Sequence, residues 1–455
     1  MMPCLSERPR ILVRSLGCRT NQYEGEALAA AFLARGARLV EEAPLDAAIV
    51  VSCTVTAEAD RKVKQLLRRL RRENPEACLV LCGCLAQRLG DAAGAKALGA
   101  DLLVGNRRKH LVPDLVEEEL ARRRRGKHVV AAAWPRIFVD DLRSDESWDS
   151  LFLPAPTAHT RAFVKIQDGC DHFCSYCIVP FVRGKPVSRP EADIVSEVSS
   201  VAEAGCREVV LTGVHLGRYG ASGDVADLFA LGGLVRRLAR ITGISRIRFG
   251  SLEPFSASEE LLRMLADIPA FCPHLHIPLQ SGDAEVLWRM ARGYSPENFA
   301  RIVERIRRIL GEDVHISTDV LVGFPGEDEG AFRRTLSFLE EMRFGRLHVF
   351  PFSPREGTAA ARFPGRVPPT VLRERCEETL ALGKELLRRT MAKWVGRNVR
   401  ILVEDDDGLR ASGLTEHFLA ASCPSGVLPG SEIAIRADLL HNDVLECGFP
   451  SRRGE

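Results

Sequence analysis

Short apolar runs alternate with amphipathic helical segments over two long stretches of this chain, and that rhythm constrains the fold more than any other feature. In the first stretch, residues 11–15, 47–52 and 78–82 are apolar runs. Helical spacing covers 21–35, and 59–72 reads as a basic amphipathic helix. Strands that alternate with helices predict a parallel α/β layer over residues 9–110. In the second stretch, 159–390, six strand candidates lie at 163–167, 208–212, 246–251, 274–279, 315–322 and 347–352, with helical patterns between them. Six such units predict a barrel or partial barrel, with its site at the carboxy-terminal ends of the strands. Residues 111–158 hold an acidic–basic run, Glu117 to Glu119 then Arg122 to Arg125, with scattered Trp, Pro and Ser, and read as a linker. The tail, 391–455, has short β-type runs at 399–403 and 432–436 and turn residues at 405–408, 424–426 and 429–430. A small antiparallel β-barrel is expected there. The fold class is therefore α/β with a small β-barrel at the carboxy terminus.

Charge does not announce a partner. Charged residues make up 27% of the 455 positions, yet the formal net charge is only +2. Nucleic-acid binding would have to come from local patches. Candidates are Arg68, Arg69, Arg71 and Arg72 at one helix end, Arg122 to Arg125, and the tail residues Arg397, Arg400, Arg410 and Arg436. The first ten residues are polar and broken by Pro3 and Pro9, without the apolar core of a secretion signal. No apolar run is long enough to span a bilayer, so a soluble, cytoplasmic protein without a membrane partner is expected.

The 14 cysteines suit metal or catalytic roles better than disulfides in such a chain. Cys170, Cys174 and Cys177 form C-x3-C-x2-C directly after the first strand candidate of the larger α/β stretch. Three thiolates on one loop can hold three irons of a cubane cluster and leave the fourth iron open. A zinc site completed by His172, or a group of buried thiols, is the alternative, although this spacing is not a common zinc pattern. Cys18, Cys53 and Cys84 each follow the end of a predicted strand. In a parallel sheet those ends gather on one edge, where sites form. Buried strand-end cysteines are an equal alternative on spacing alone. Cys82, two residues before Cys84, reads as core. Cys4, Cys78, Cys206, Cys272, Cys376, Cys423 and Cys447 show no partner pattern and read as structural.

The segment Gln167-Asp-Gly-Cys-Asp-His-Phe-Cys-Ser-Tyr-Cys-Ile-Val-Pro-Phe-Val-Arg-Gly184 resembles the cluster loop of radical S-adenosylmethionine enzymes, and more narrowly that of the methylthiotransferase family. Ser15-Leu-Gly-Cys-Arg-Thr-Asn-Gln-Tyr-Glu24, Val51-Ser-Cys-Thr-Val-Thr56 and Cys82-Gly-Cys-Leu-Ala-Gln87 match the family's amino-terminal domain in order. Ser52 stands where the family usually has threonine. The resemblance implies two [4Fe–4S] clusters, one on Cys170, Cys174 and Cys177 and one on Cys18, Cys53 and Cys84. The open iron of the first would chelate S-adenosylmethionine, whose one-electron reduction gives a 5′-deoxyadenosyl radical. The second would hold the sulfur that enters the product.

The same resemblance assigns cofactor contacts. Thr212-Gly-Val-His-Leu-Gly217 offers Thr212 and Gly213, and Ser317-Thr-Asp-Val-Leu-Val-Gly-Phe-Pro-Gly-Glu327 offers Thr318, Asp319 and Gly323. His274-Leu-His-Ile-Pro-Leu-Gln-Ser-Gly282 supplies polar groups that could line a cleft. Arg292-Gly-Tyr294 also matches, without a role derivable from sequence. The tail resembles the TRAM barrel found on several RNA-modifying enzymes, and is expected to bind RNA apart from the cysteine chemistry. Asn21-Gln-Tyr-Glu24, Thr54-Val-Thr56 and Leu347-His-Val-Phe350 look most like the branch acting on N6-threonylcarbamoyladenosine next to the tRNA anticodon. Its product is the 2-methylthio derivative. The implied partners are the tRNA anticodon loop and an electron donor such as flavodoxin or ferredoxin. Within the family, N6-isopentenyladenosine or an aspartate of a ribosomal protein is the alternative substrate. A non-enzymatic iron–sulfur RNA-binding protein is the alternative from another class.

Overall fold

The computed structural model describes residues 8–124, 135–142, 147–156, 160–221 and 227–448. Cys4 and Arg125 lie outside the described residues. The first sheet is six-stranded and wholly parallel. Its strands are β1 (Arg10–Ser15), β2 (Arg38–Leu39), β3 (Ala47–Ser52), β4 (Cys78–Gly83), β5 (Leu102–Val104) and β6 (Arg136–Phe138), in the order β2-β1-β3-β4-β5-β6. Helices cover both faces, so β3 and β4 are apolar without a break. Ile49, Val51, Val80 and Cys82 pack beneath the helix Arg19–Ala34 through Tyr23, Ala27 and Leu28. Ala48, Val50, Leu79 and Leu81 meet Val63, Leu67 and Leu70 of the helix Ala57–Glu73 on the other side.

The stretch 111–158, expected as a linker, differs from that reading. The helix Val112–Arg124 buries Val112, Leu115 and Val116 against the first sheet, and β6 extends that sheet. The charges that hid the apolar stripe are structural. Arg122 and Arg123 bind Glu119, and Arg123 also reaches the buried Asp101.

The central unit is an open parallel barrel of two three-stranded sheets. One is β11-β10-β7 and the other β12-β13-β14. The strands are β7 (Arg161–Lys165), β10 (Glu208–Thr212), β11 (Arg246–Phe249), β12 (His274–His276), β13 (His315–Val322) and β14 (Arg346–Pro351). A parallel bridge between Ile247 and Phe271 joins the two sheets, and one continuous apolar core fills the space between strands and helices. A short antiparallel ribbon, β8 (Gln167–Asp168) with β9 (Val187–Ser188), closes the base of the cysteine loop.

The tail is a closed five-stranded barrel of β15 (Asn398–Asp406), β16 (Arg410–Thr415), β17 (Ala420–Pro424), β18 (Glu432–His441) and β19 (Val444–Cys447). It is packed closely onto the central unit, at the starts of the central strands. Buried Arg246 and Arg248 donate to the carbonyls of Arg400, Leu414, Thr415 and Glu416 at 2.6–3.0 Å. His315 Nδ1 lies 2.6 Å from the carbonyl oxygen of His417, and Phe418 stacks on His274 with ring centroids 4.8 Å apart. The barrel therefore caps the end of the central unit opposite the strand ends that carry the cysteines. Among the described residues no helix is long and apolar enough to cross a membrane.

Candidate active site

The cysteine triplet follows β8 on a loop fixed from several sides. Gly169 precedes it at φ +76°, where a Cβ would stand 2.0 Å from the carbonyl oxygen of Lys185, so only glycine fits. The Cys170 amide donates to the Gly184 carbonyl at 3.0 Å, and the Ser175 hydroxyl to that of Arg289 at 2.8 Å. Gln167 ties this loop to the next strand end. Its Oε1 accepts from the amides of Val214 and His215 at 3.0 and 2.7 Å, and its Nε2 donates to the carbonyls of Asp168 and Gly169.

Arg292, whose role the sequence left open, is buried behind the loop. It donates to Cys174 Sγ at 3.2 Å, to Glu253 at 2.6 Å and to the Tyr294 hydroxyl at 2.9 Å. His172 does not complete a zinc site: its Nε2 lies 3.3 Å from the Arg292 carbonyl and its ring packs on Phe255. The donor set is thus three thiols on one loop, which fits a cluster with one open iron. Burial pushes the Cys170 thiol up to about 12 and raises Cys174 and Cys177 as well, with Arg292 pulling Cys174 back. Without metal these groups stay protonated, and metal binding would release the protons.

The dispersed cysteines converge because β1, β3 and β4 are neighbours. Cys18 caps the helix Arg19–Ala34, Cys53 follows β3, and Cys84 opens the helix Cys84–Leu89 directly after β4. Gly17, at φ +116°, lets the first loop approach the second, since a Cβ there would lie 2.9 Å from Cys53 Sγ. The Ser52 hydroxyl donates to the Cys82 carbonyl at 2.6 Å and accepts from the Leu85 amide at 3.1 Å, pinning two strand ends together. Asn106 Nδ2 lies 3.6 Å from Cys84 Sγ. Burial, followed by the neighbouring thiols of Cys84 and Cys18, pushes Cys53 up to about 12. Cys82 points the other way, into the core, with its thiol 3.6 Å from the Val50 carbonyl.

All three sheet-edge cysteines and Cys177 of the loop set line one cleft of about 620 Å³. Its walls include Cys18, Cys53, Cys84 and Cys177, together with Thr212, Gly213 and Asp319. Cys170 and Cys174, on the same loop as Cys177, are not among its lining residues. Thr318 and Gly323 do not line the cleft. The Thr318 hydroxyl is used by the Ile277 carbonyl and the Leu279 amide, and the Gly323 amide donates to Glu327.

A buried charge cluster joins the two halves of the site. Glu24, on the helix that Cys18 caps, meets Lys165 at 2.9 Å, Arg183 at 3.1 Å and Lys109 at 3.3 Å. Arg183, at the end of the cluster loop, also bonds Asp168 at 2.9 Å and Asn21 at 2.8 Å. Burial alone would raise the Glu24 carboxyl, but Arg183, Lys109 and Lys165 hold it down at about 2. Sequence reasoning missed Arg183, Arg292 and Gln167 as positioning groups, although all three stand inside quoted motifs.

The basic patches largely spend their charge within the protein. Arg397 pairs with Asp313, Arg400 with Glu432 and Arg410 with Glu446, while Arg71 bonds Asp101 and carbonyls. Arg68, Arg69, Arg72 and Arg436 remain on the surface.

Comparison with known proteins agrees with this construction. The profile of the Radical SAM superfamily matches residues 164–339, and that of the uncharacterized protein family UPF0004 matches residues 10–105. The chain is 32% identical over 452 residues to the threonylcarbamoyladenosine tRNA methylthiotransferase MtaB of Bacillus subtilis, covering 98% of this chain and 96% of that one. It is 36% identical over 397 residues to the tRNA-2-methylthio-N(6)-dimethylallyladenosine synthase of Syntrophotalea carbinolica, covering 86% and 87%. Among solved structures, the radical S-adenosylmethionine methyltransferase TsrM from Kitasatospora setae shares the fold. Its TM-score is 0.54 at 15% identity, over 76% of this chain and 75% of that one. With cluster-loop geometry, sheet-edge cysteines and near full-length relatives in agreement, the chain belongs to the radical S-adenosylmethionine methylthiotransferase family, whose chemistry requires a [4Fe–4S] cluster and S-adenosylmethionine.

Proposed function

We propose that this protein is a tRNA methylthiotransferase that converts N6-threonylcarbamoyladenosine beside the anticodon to its 2-methylthio derivative. The observation that carries the reading is that Cys18, Cys53 and Cys84 of the first α/β unit and Cys177 of the cluster loop line a single cleft. When bound, two [4Fe–4S] clusters and S-adenosylmethionine supply the electron, the radical, the methyl group and the sulfur that together replace the hydrogen at adenine C2. The chain's own residues do the rest. Cys170, Cys174 and Cys177 would hold the reducing cluster, and Thr212, Gly213 and Asp319 in the cleft wall would contact the cofactor. Thr318 and Gly323 brace the structure next to that wall, Thr318 through the backbone of Ile277 and Leu279 after β12 and Gly323 through Glu327. Cys18, Cys53 and Cys84 would hold the sulfur-carrying cluster across the domain interface. A target base splayed out of the anticodon loop can enter between the two sets.

Relatives of both nucleoside specificities match the chain. The motifs Asn21-Gln-Tyr-Glu24, Thr54-Val-Thr56 and Leu347-His-Val-Phe350 support the threonylcarbamoyl branch. Of these residues, His348 and Phe350 line the cleft, while Glu24 and Thr54 hold the interface to the central unit. An electron donor of the flavodoxin or ferredoxin type completes the cycle. Mass analysis of tRNA nucleosides from a deletion strain tests the assignment. Loss of 2-methylthio-N6-threonylcarbamoyladenosine with accumulation of its precursor is expected. Loss of the isopentenyl product instead would overturn it.

A further inference from the structure

Arg19 follows Cys18 in sequence, yet its side chain runs into the lumen of the open barrel. Nη1 donates to the Gly250 carbonyl at 3.1 Å, and the guanidinium lies 5.7 Å from the Phe418 ring that plugs the far end. Among the described residues, no carboxylate stands within ion-pair distance of it. The like charges of Arg161, Arg248 and Arg346 act on it, against the opposing charge of Asp319. Asp319 is already engaged, 3.1 Å from His276 Nε2. A half-buried cation facing a cavity, among other cations and without its own counter-ion, is costly unless an anion arrives.

His348 lines the same cavity beside it, with its ring 5.3 Å from that of His276. Burial and the neighbouring His276 hold His348 down at about 4. At neutral pH it therefore presents one N–H donor and one acceptor. Both nitrogens of His276, by contrast, are taken by Ser317 and Asp319.

We propose that Arg19 and His348 form the subsite that reads the N6 substituent of the substrate adenosine, with Arg19 taking a carboxylate and His348 a neighbouring hydroxyl. This rests on the threonylcarbamoyl reading above and gives it a physical basis. A guanidinium offers a planar pair of donors that matches a carboxylate. A threonyl group carries that carboxylate beside a hydroxyl. An isopentenyl group carries neither, and would leave the guanidinium and the imidazole desolvated and unpaired.

The test uses the holoenzyme and three anticodon stem-loops, bearing N6-threonylcarbamoyladenosine, N6-isopentenyladenosine or unmodified adenosine. Dissociation constants come from fluorescence anisotropy, and kcat and KM from product formation. In Arg19→Gln, the preference for the threonylcarbamoyl loop over the unmodified loop should fall about 10- to 100-fold, mostly through KM, as expected for a lost charged hydrogen bond. Arg19→Lys should restore part of it, and His348→Ala should reduce the same ratio by a smaller factor. If Arg19→Gln weakens all three loops equally, Arg19 is a structural or general phosphate contact and the proposal fails. If the wild-type enzyme does not turn over the threonylcarbamoyl loop but does turn over the isopentenyl one, the underlying substrate reading fails instead.

Discussion

The two cysteine sets reach the same cleft by opposite routes. Cys170, Cys174 and Cys177 are neighbours on one loop, and their geometry is fixed by local hydrogen bonds from Gln167, Ser175 and Arg292. Cys18, Cys53 and Cys84 are brought together only by strand order in the first sheet, with Gly17 and Ser52 drawing the strand ends close. A loop set depends on its immediate supports. A dispersed set depends on the fold of a whole domain and on the Glu24–Arg183–Asp168 cluster that seats this domain against the next. The two should therefore fail differently.

The largest effect is expected at the loop. Replacing Cys170, Cys174 and Cys177 together by alanine should abolish formation of 5′-deoxyadenosine. It should also halve bound iron, from about eight to about four per chain on the two-cubane reading. Iron analysis beside chromatography of the cleavage product checks this. Residual cleavage in the triple variant would place the radical chemistry elsewhere.

Next is the interface between the sets. Glu24→Gln leaves Arg183, Lys165 and Lys109 short of a buried negative charge, and should cost about 3–5 kcal/mol. The pH dependence follows from the depressed carboxyl. Its folded value of about 2 lies below the ordinary unfolded value near 4.3, so its stabilisation is fully present above that unfolded value. It is lost as pH falls from roughly 4 towards 2, and is worth about 3 kcal/mol. Urea midpoints across that range should fall steeply for the wild type and more gently for Glu24→Gln.

Arg292→Ala probes the loop's support without touching a thiol. It removes the donor to Cys174 and leaves Glu253 unpaired, at a cost of about 1–3 kcal/mol. The spectrum and potential of the reduced loop cluster should shift, while those of the sheet-edge cluster stay put. Equal shifts in both would show that Arg292 acts through the general fold. The smallest effect is Cys82→Ala. This residue packs in the core, so the change should cost about 1 kcal/mol and leave methylthiolation intact, whereas Cys84→Ala should abolish it.

The contrast between the sets also governs what could be read before the structure. The α/β rhythm places β10 and β13 at the expected residues, because the apolar stretches Val209–Leu211 and Val320–Val322 within them are buried and leave a mark in sequence. The loop triplet was legible for a similar reason: spacing of three and two on one segment is itself geometry. The dispersed set was legible only through family likeness, since nothing in Cys18, Cys53 or Cys84 alone states that β1, β3 and β4 are adjacent. Arg183 and Arg292 escaped because a buried arginine looks, in sequence, like a solvated one. The same error occurred at Arg122 and Arg123, which read as a surface patch but hold Glu119 and Asp101. The same charges disguised the helix Val112–Arg124 as linker. The tail's arginines misled likewise. Its barrel caps the central strands through Phe418 and the carbonyls around it, so it is a structural partner of the core as well as a candidate RNA surface.

Whether the two sets do different chemistry in one cleft is decided by a single reaction. The variant lacking Cys18, Cys53 and Cys84 is incubated with reductant, S-adenosylmethionine and tRNA carrying N6-threonylcarbamoyladenosine, and both 5′-deoxyadenosine and the modified nucleoside are measured by mass detection. Continued cleavage of S-adenosylmethionine with no methylthio nucleoside is expected. Methylthio product formed at an appreciable rate by this variant would show that the sheet-edge cysteines are structural, and would contradict the two-cluster mechanism for this chain.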